Sequence, residues 1–209
     1  MRAIAKGTEP RSLAQHRATP HASYANYAAK SELRDSLVAE QRGLCCYCLS
    51  RIRIDAMKIE HWHSQSEHQG EELDYGNLLG ACFGNEGQPK KHQHCDTRKG
   101  ETPISRNPAN PMHRIADLIR FESDGRISSD DETFDDELNR VLNLNEAFLK
   151  ANRKATLDAF KDALIRRGNL TRPTVEKLLR HWNGELHTGA LMPFSEIVVH
   201  WLRKRQARA

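Results

Sequence analysis

Apolar positions are sparse over residues 1–30 and are broken by Pro10 and Pro20, which predicts an extended or irregular arm. In "SELRDSLVAEQRG" (31–43), Leu33, Leu37 and Val38 form one helical stripe. Ser31 is placed to cap the start of that helix and Gly43 to supply a left-handed stop. The short stretches "RIRI" (51–54) and "MKIEHW" (57–62) alternate with the period of two that marks strands. Polar, acidic residues over 64–76 read as a loop, "NLLGAC" (77–82) restores apolar character, and the Gly- and Pro-containing run 83–91 is a second loop. The segment "HQHCDTRKG" (92–100) predicts a short helix closed by Gly100.

Three prolines fall within 101–111 and mark a boundary. After it, "IADLIRFESDGRIS" predicts a hairpin with Asp124-Gly125 at its turn. Leu149, Leu157, Phe160 and Leu164 recur at near-helical spacing between Asn145 and Gly168, and two further helices begin at or near Pro173 and Pro193. The pattern therefore divides into an arm (1–34), a mixed core (35–100), a Pro-rich linker (101–111) and a hairpin followed by a helical module (112–209). The fold class it implies is α+β.

Composition narrows the classes. With 38% apolar and 29% charged residues among 209, the chain has material for a modest core. No apolar run approaches a membrane span and the basic N-terminal stretch lacks a signal peptide's apolar segment, so a cytoplasmic location is expected. A net charge of +4 suits an anionic partner only weakly. The distribution of Cys and His says more. All five cysteines lie between residues 45 and 95, two of them adjacent, and seven of eleven histidines precede residue 95. An odd, clustered set in a cytoplasmic chain points to metal and away from disulfides.

Cys45 and Cys48 have the spacing of half a tetrahedral zinc site. The remaining candidates for the other half are Cys82 and Cys95, separated by the 83–94 loop read as an insertion. A rival assignment replaces one of these with His92 or His94. Cys46 is left over as a packed thiol, and His63 and His68 read as loop histidines without a chemical role.

"CCYC", "IEHWHS", "DYGNLLGAC" and "HCDTRKG" together resemble the signature of the HNH, or ββα-metal, endonucleases. The match is nearest to the PtuB-like HNH nucleases of Septu-type anti-phage systems, supported by the arm "MRAIAKGTEPRSLAQHR" and by "LNLNEAFLKANR" in the second half. The resemblance implies a zinc-stapled ββα-metal core with a helical C-terminal module. It assigns His61 as general base, Glu60 as the acidic ligand of a catalytic Mg²⁺ or Mn²⁺, and Asn77 as the residue that fixes the loop aiming His61. Asp96 takes the place of the last H as a second metal ligand, and Lys99 would meet a phosphate. The strand period agrees in one respect, since it throws Glu60 and His61 to opposite sides of the backbone. By the same resemblance the partners are nucleic acid, DNA in preference to RNA, and a PtuA-like ABC/SMC-type ATPase. A zinc-stapled module that binds nucleic acid or the ATPase without cutting is the alternative function.

Overall fold

The computed structural model describes residues 1–166 and 170–207. The arm, expected to be irregular, contains helix α1 (Arg11–Arg17) and is packed down. Pro10 does not disturb this helix because it stands just ahead of the first turn, where no intrahelical N–H is needed. Leu13 and Tyr27 are buried. The Ile4 N–H donates to the Pro108 carbonyl, and Lys6 reaches Glu40 and the Leu78 carbonyl.

Helix α2 (Lys30–Glu40) buries Leu33 and Leu37. It starts from Ala29, so Ser31 lies inside the first turn and does not cap it. Arg42 and Gly43 both have positive φ and end the helix as the sequence predicts. "RIRI" does not form a strand. Leu44 pairs with Arg51 and Arg53 with Ala56 as isolated bridges only, and the guanidinium of Arg51 turns back to the carbonyls of Gly43 and Leu191.

Strands β1 (Lys58–His61) and β2 (Leu78–Ala81) are antiparallel, with Glu60 opposite Leu79 and His61 opposite Leu78. Helix α2 packs across β2, and Gln41 just beyond its end braces the pair. Its amide donates to the carbonyls of Leu44 and Gly80 and accepts from the Gly80 N–H. A side chain at Gly80 would meet the ends of the Ile52 and Met57 side chains at about 3 Å, and those tips would have to shift to admit it. The short helix α3 (Cys95–Lys99) follows β2 and is closed by Gly100 at φ 55°.

Residues 101–111 are packed against the rest, with Ile104 and Asn107 buried. Helix α4 (Ile115–Leu118) leads into the hairpin of β3 (Ile119–Phe121) and β4 (Ile127–Ser129). At its turn Gly125 has φ +87° and a Cβ there would lie 2.1 Å from the Lys150 carbonyl oxygen. Helix α5 (Glu132–Asp136), capped by the Asp131 carboxylate, runs on into a π-helical turn over Glu137–Val141. Helix α6 (Ala147–Ile165) buries Leu149, Arg153, Leu157 and Phe160; the expected end at Gly168 lies outside the described residues. Helices α7 (Arg172–Trp182) and α8 (Ser195–Gln206) complete the chain. Phe160 meets the rings of Trp182 and Trp201 edge-on at 5.4 and 5.7 Å, so both tryptophans are packing residues. One buried apolar cluster extends from Leu13 to Leu202 through all these elements. No described helix is long and apolar enough to cross a membrane.

Candidate functional site

The turn closed by the Leu44–Arg51 bridge delivers Cys45 and Cys48, the residue after β2 is Cys82, and the start of α3 delivers Cys95. Their four sulfurs all lie within 4.8 Å of one another. Cys45 Sγ is 3.9 Å from Cys95 Sγ, and Cys48 Sγ is 3.7 Å from Cys82 Sγ. Zn–S bonds of about 2.3 Å in a tetrahedron place sulfurs about 3.8 Å apart, so the set fits zinc and can hold such an ion. No disulfide joins these cysteines. Burial opposes ionisation of Cys45, yet hydrogen bonds from Cys46, Cys48, Cys82 and Cys95 hold its thiol well below the ordinary value. The backbone N–H of Cys82 also donates to Cys45 Sγ.

Of the two rival histidines, only His94 stands at the cluster, its Nδ1 4.0 Å from Cys82 Sγ. His94 Nδ1 lies 3.1 Å from Cys95 Sγ, beside the sulfurs, while His92 is exposed and faces Glu146. The loop between Cys82 and Cys95 leaves and returns at one point, where the His94 N–H donates to the Gly84 carbonyl at 3.0 Å. Gly84 has φ +55°, and a Cβ there would sit 2.0 Å from the His94 carbonyl oxygen. Cys46 is buried and its thiol is pushed well up, first by burial.

Glu60 points from β1 toward α3 and is 3% exposed. Its Oε1 accepts from the Tyr47 hydroxyl at 2.7 Å and is paired with Lys99 Nζ at 2.9 Å. Burial pushes the Glu60 carboxyl well above the ordinary carboxylate range, and a hydrogen bond with the Asp96 carboxyl adds to this. Lys99 opposes the shift without cancelling it. Asp96 is the more open of the two, with a fifth of its side chain exposed and Lys58 Nζ at 3.7 Å.

Lys99 is not where a phosphate contact needs it. Its side chain is 1% exposed, and its ammonium also faces the carbonyls of His61 and Gly100. The helix of α3 turns this residue inward onto Glu60, so the expected phosphate contact is replaced by an internal ion pair.

His61 leaves β1 on the opposite side. Its Nε2 lies 3.0 Å from the Glu72 carbonyl, which can only accept, so Nε2 carries the proton and Nδ1 keeps its lone pair. Burial lowers its pKa below the ordinary histidine value, and the ring is neutral near pH 7. Tyr24, from the arm, stands edge-on to it at 4.5 Å.

Asn77, buried at the end of the 62–77 loop, ties that loop to itself. Its Oδ1 accepts from the His63 N–H at 2.7 Å, and its amide donates to the carbonyls of His63 and Glu71. The structure thus gathers Glu60, Asp96 and Lys99 on one side of β1 and His61 on the other, with Asn77 fixing the loop that carries Glu72. Sequence reasoning did not single out Tyr47, Tyr24 or the group His63, His68 and Glu71, whose ligating atoms also lie within 4.8 Å of one another. Only the density of His and Glu over 60–72 signalled that last group.

No family model and no curated protein sequence matches the chain.

Proposed function

We propose that the chain is a metal-dependent endonuclease of the HNH type, hydrolysing nucleic-acid phosphodiesters. The observation that carries this reading is the buried, neutral His61, whose Nδ1 keeps its lone pair, next in the strand to Glu60, whose buried carboxyl points to α3 and Asp96 on the other side of β1. Hydrolysis of a phosphodiester needs a base for the attacking water and positive charge at the phosphoryl oxygens. His61 Nδ1 takes the proton from water, and the Glu72 carbonyl holds the ring in the tautomer this requires. Asn77 acts one step back, as a positioning residue for that loop. Glu60 and Asp96 offer hard oxygen ligands suited to Mg²⁺ or Mn²⁺, which would supply the charge at the scissile phosphate and the leaving oxygen. Lys99 has to yield part of its hold on Glu60 for this to happen. In this reading the cysteine-held Zn²⁺ stays structural.

DNA is the favoured substrate and RNA the second. A role in anti-phage defence beside a PtuA-like ATPase, in the cytoplasm, is proposed on the sequence resemblance alone. The buried Glu60–Lys99 pair favours a competing reading, a zinc-stapled binding module, since it closes one edge of Glu60 to ligands.

Nicking of supercoiled plasmid with Mg²⁺ or Mn²⁺, with and without the ATPase, decides between them. Metal-dependent nicking by the wild-type chain that His61→Ala abolishes is the expected result. Equal nicking by both proteins would remove His61 from the mechanism. Silence on DNA and on RNA, with the ATPase present, would leave the binding module.

A further inference from the structure

The loop that Asn77 ties down carries a second group of ligating side chains. His63 Nδ1 lies 2.6 Å from Glu71 Oε2, and His68 Nδ1 lies 3.9 Å from Glu71 Oε1. The two imidazoles stack at 4.3 Å with 20° between their planes. Both rings thus direct a nitrogen at one carboxylate. A neutral imidazole offers one ring nitrogen as a lone-pair ligand.

We propose that His63, His68 and Glu71 form a second metal site, for a first-row divalent ion of the Zn²⁺ class. Two imidazoles and one carboxylate are the ligand set such ions prefer, whereas Mg²⁺ favours oxygen alone. Bonds of about 2.0–2.2 Å place tetrahedral ligands about 3.3 Å apart. The two nitrogen–oxygen distances bracket this value, so binding asks for side-chain shifts of about 0.6–0.7 Å, some rotation of the His68 ring and a move of the His63 proton from Nδ1 to Nε2. All three side chains are a third or more exposed, which leaves the remaining coordination position open to water or to a ligand's oxygen.

The site is local, within 63–71, and its frame is already set. Asn77 holds the His63 N–H and carbonyl together with the Glu71 carbonyl, and the next residue presents the carbonyl that receives His61. An ion here therefore stiffens the segment that orients His61. That effect on His61 rests on the hydrolase reading; the metal site does not.

The experiment uses the full chain loaded with Zn²⁺, desalted, and assayed for retained zinc, followed by Co²⁺ titration of the zinc-loaded protein. Two zinc equivalents are expected for the wild-type chain and one for His68→Ala and for Glu71→Gln. Thiolate-to-cobalt charge-transfer absorption reports the cysteines; Co²⁺ ligand-field bands without it report the loop. These loop bands are expected in the wild-type chain after brief treatment with a weak chelator, and absent in both variants. Should His68→Ala also lose the cysteine-held ion, the milder Glu71→Gln decides the matter. Retention of two equivalents by both variants, or cobalt absorption of thiolate type alone, would overturn the second site. The zinc count is read without the nicking assay, and loss of nicking in His61→Ala leaves that count unchanged.

Discussion

Lys99 and Glu60 form an ion pair, 2.9 Å apart, that water does not reach. It joins α3 to β1 directly beneath the cysteine cluster, and it determines what happens when either partner is removed.

Lys99→Met leaves the Glu60 carboxyl buried beside Asp96 without its cation. A destabilisation of about 3 kcal/mol is expected at neutral pH. Glu60 already has its folded-state pKa raised above the unfolded value of 4.5, and loss of the lysine raises it further. A raised carboxyl adds least cost while it is protonated, so the deficit is smallest near pH 5 and grows as the pH climbs through the folded-state value. Urea unfolding of both proteins at several pH values measures this. A deficit that is flat with pH would sink the account, as would a failure of Glu60→Gln to rescue Lys99→Met.

Asn77→Ala removes one acceptor and two donors at once from a buried corner. The orphaned groups of His63 and Glu71 should lower stability by about 2–3 kcal/mol. Backbone hydrogen exchange should quicken over 62–77 and stay unchanged in α6. Uniform quickening across the chain would mean that Asn77 supports the whole fold and not this loop.

His200 on α8 packs edge-on against Phe121, with its Nε2 buried and unpartnered. Burial, helped by Lys204, Arg120 and Arg203, lowers its pKa to about 4 from 6.5. The unfolded chain therefore binds this proton more readily, and the neutral ring's contribution is complete above pH 6.5 and lost as the pH falls toward 4. With partial exposure allowed for, the loss is about 1–2 kcal/mol. His200→Leu should flatten the acid side of the stability profile by that amount. A profile identical to wild type would show that His200 is solvated.

The local signals were plain in the sequence where one residue type has one physical use. Gly43, Gly100 and Gly125 end or turn elements at positive φ, and the apolar stripes of α2, α6, α7 and α8 all bury. Cys45 and Cys48 announced half a metal site by their spacing, and Cys82 and Cys95 followed by elimination. The rest depends on partners far along the chain. Nothing near Lys99 tells that its ammonium turns inward, and nothing near Tyr24 tells that the arm returns to cover His61. The spacings of His63, His68 and Glu71 match no regular period, because a loop brought them together. Arg51 and Arg53 gave "RIRI" its alternation, but no second strand runs beside it, and only two isolated bridges form.

The meeting of Gly84 and His94 makes the stretch between them a side road that rejoins where it left. Traffic along the main route, from Cys82 to Cys95, does not depend on its length, since lengthening such a detour twofold costs only about 0.6 kcal/mol. Residues 85–93 are therefore the natural place to splice in a peptide epitope or a fluorescent label.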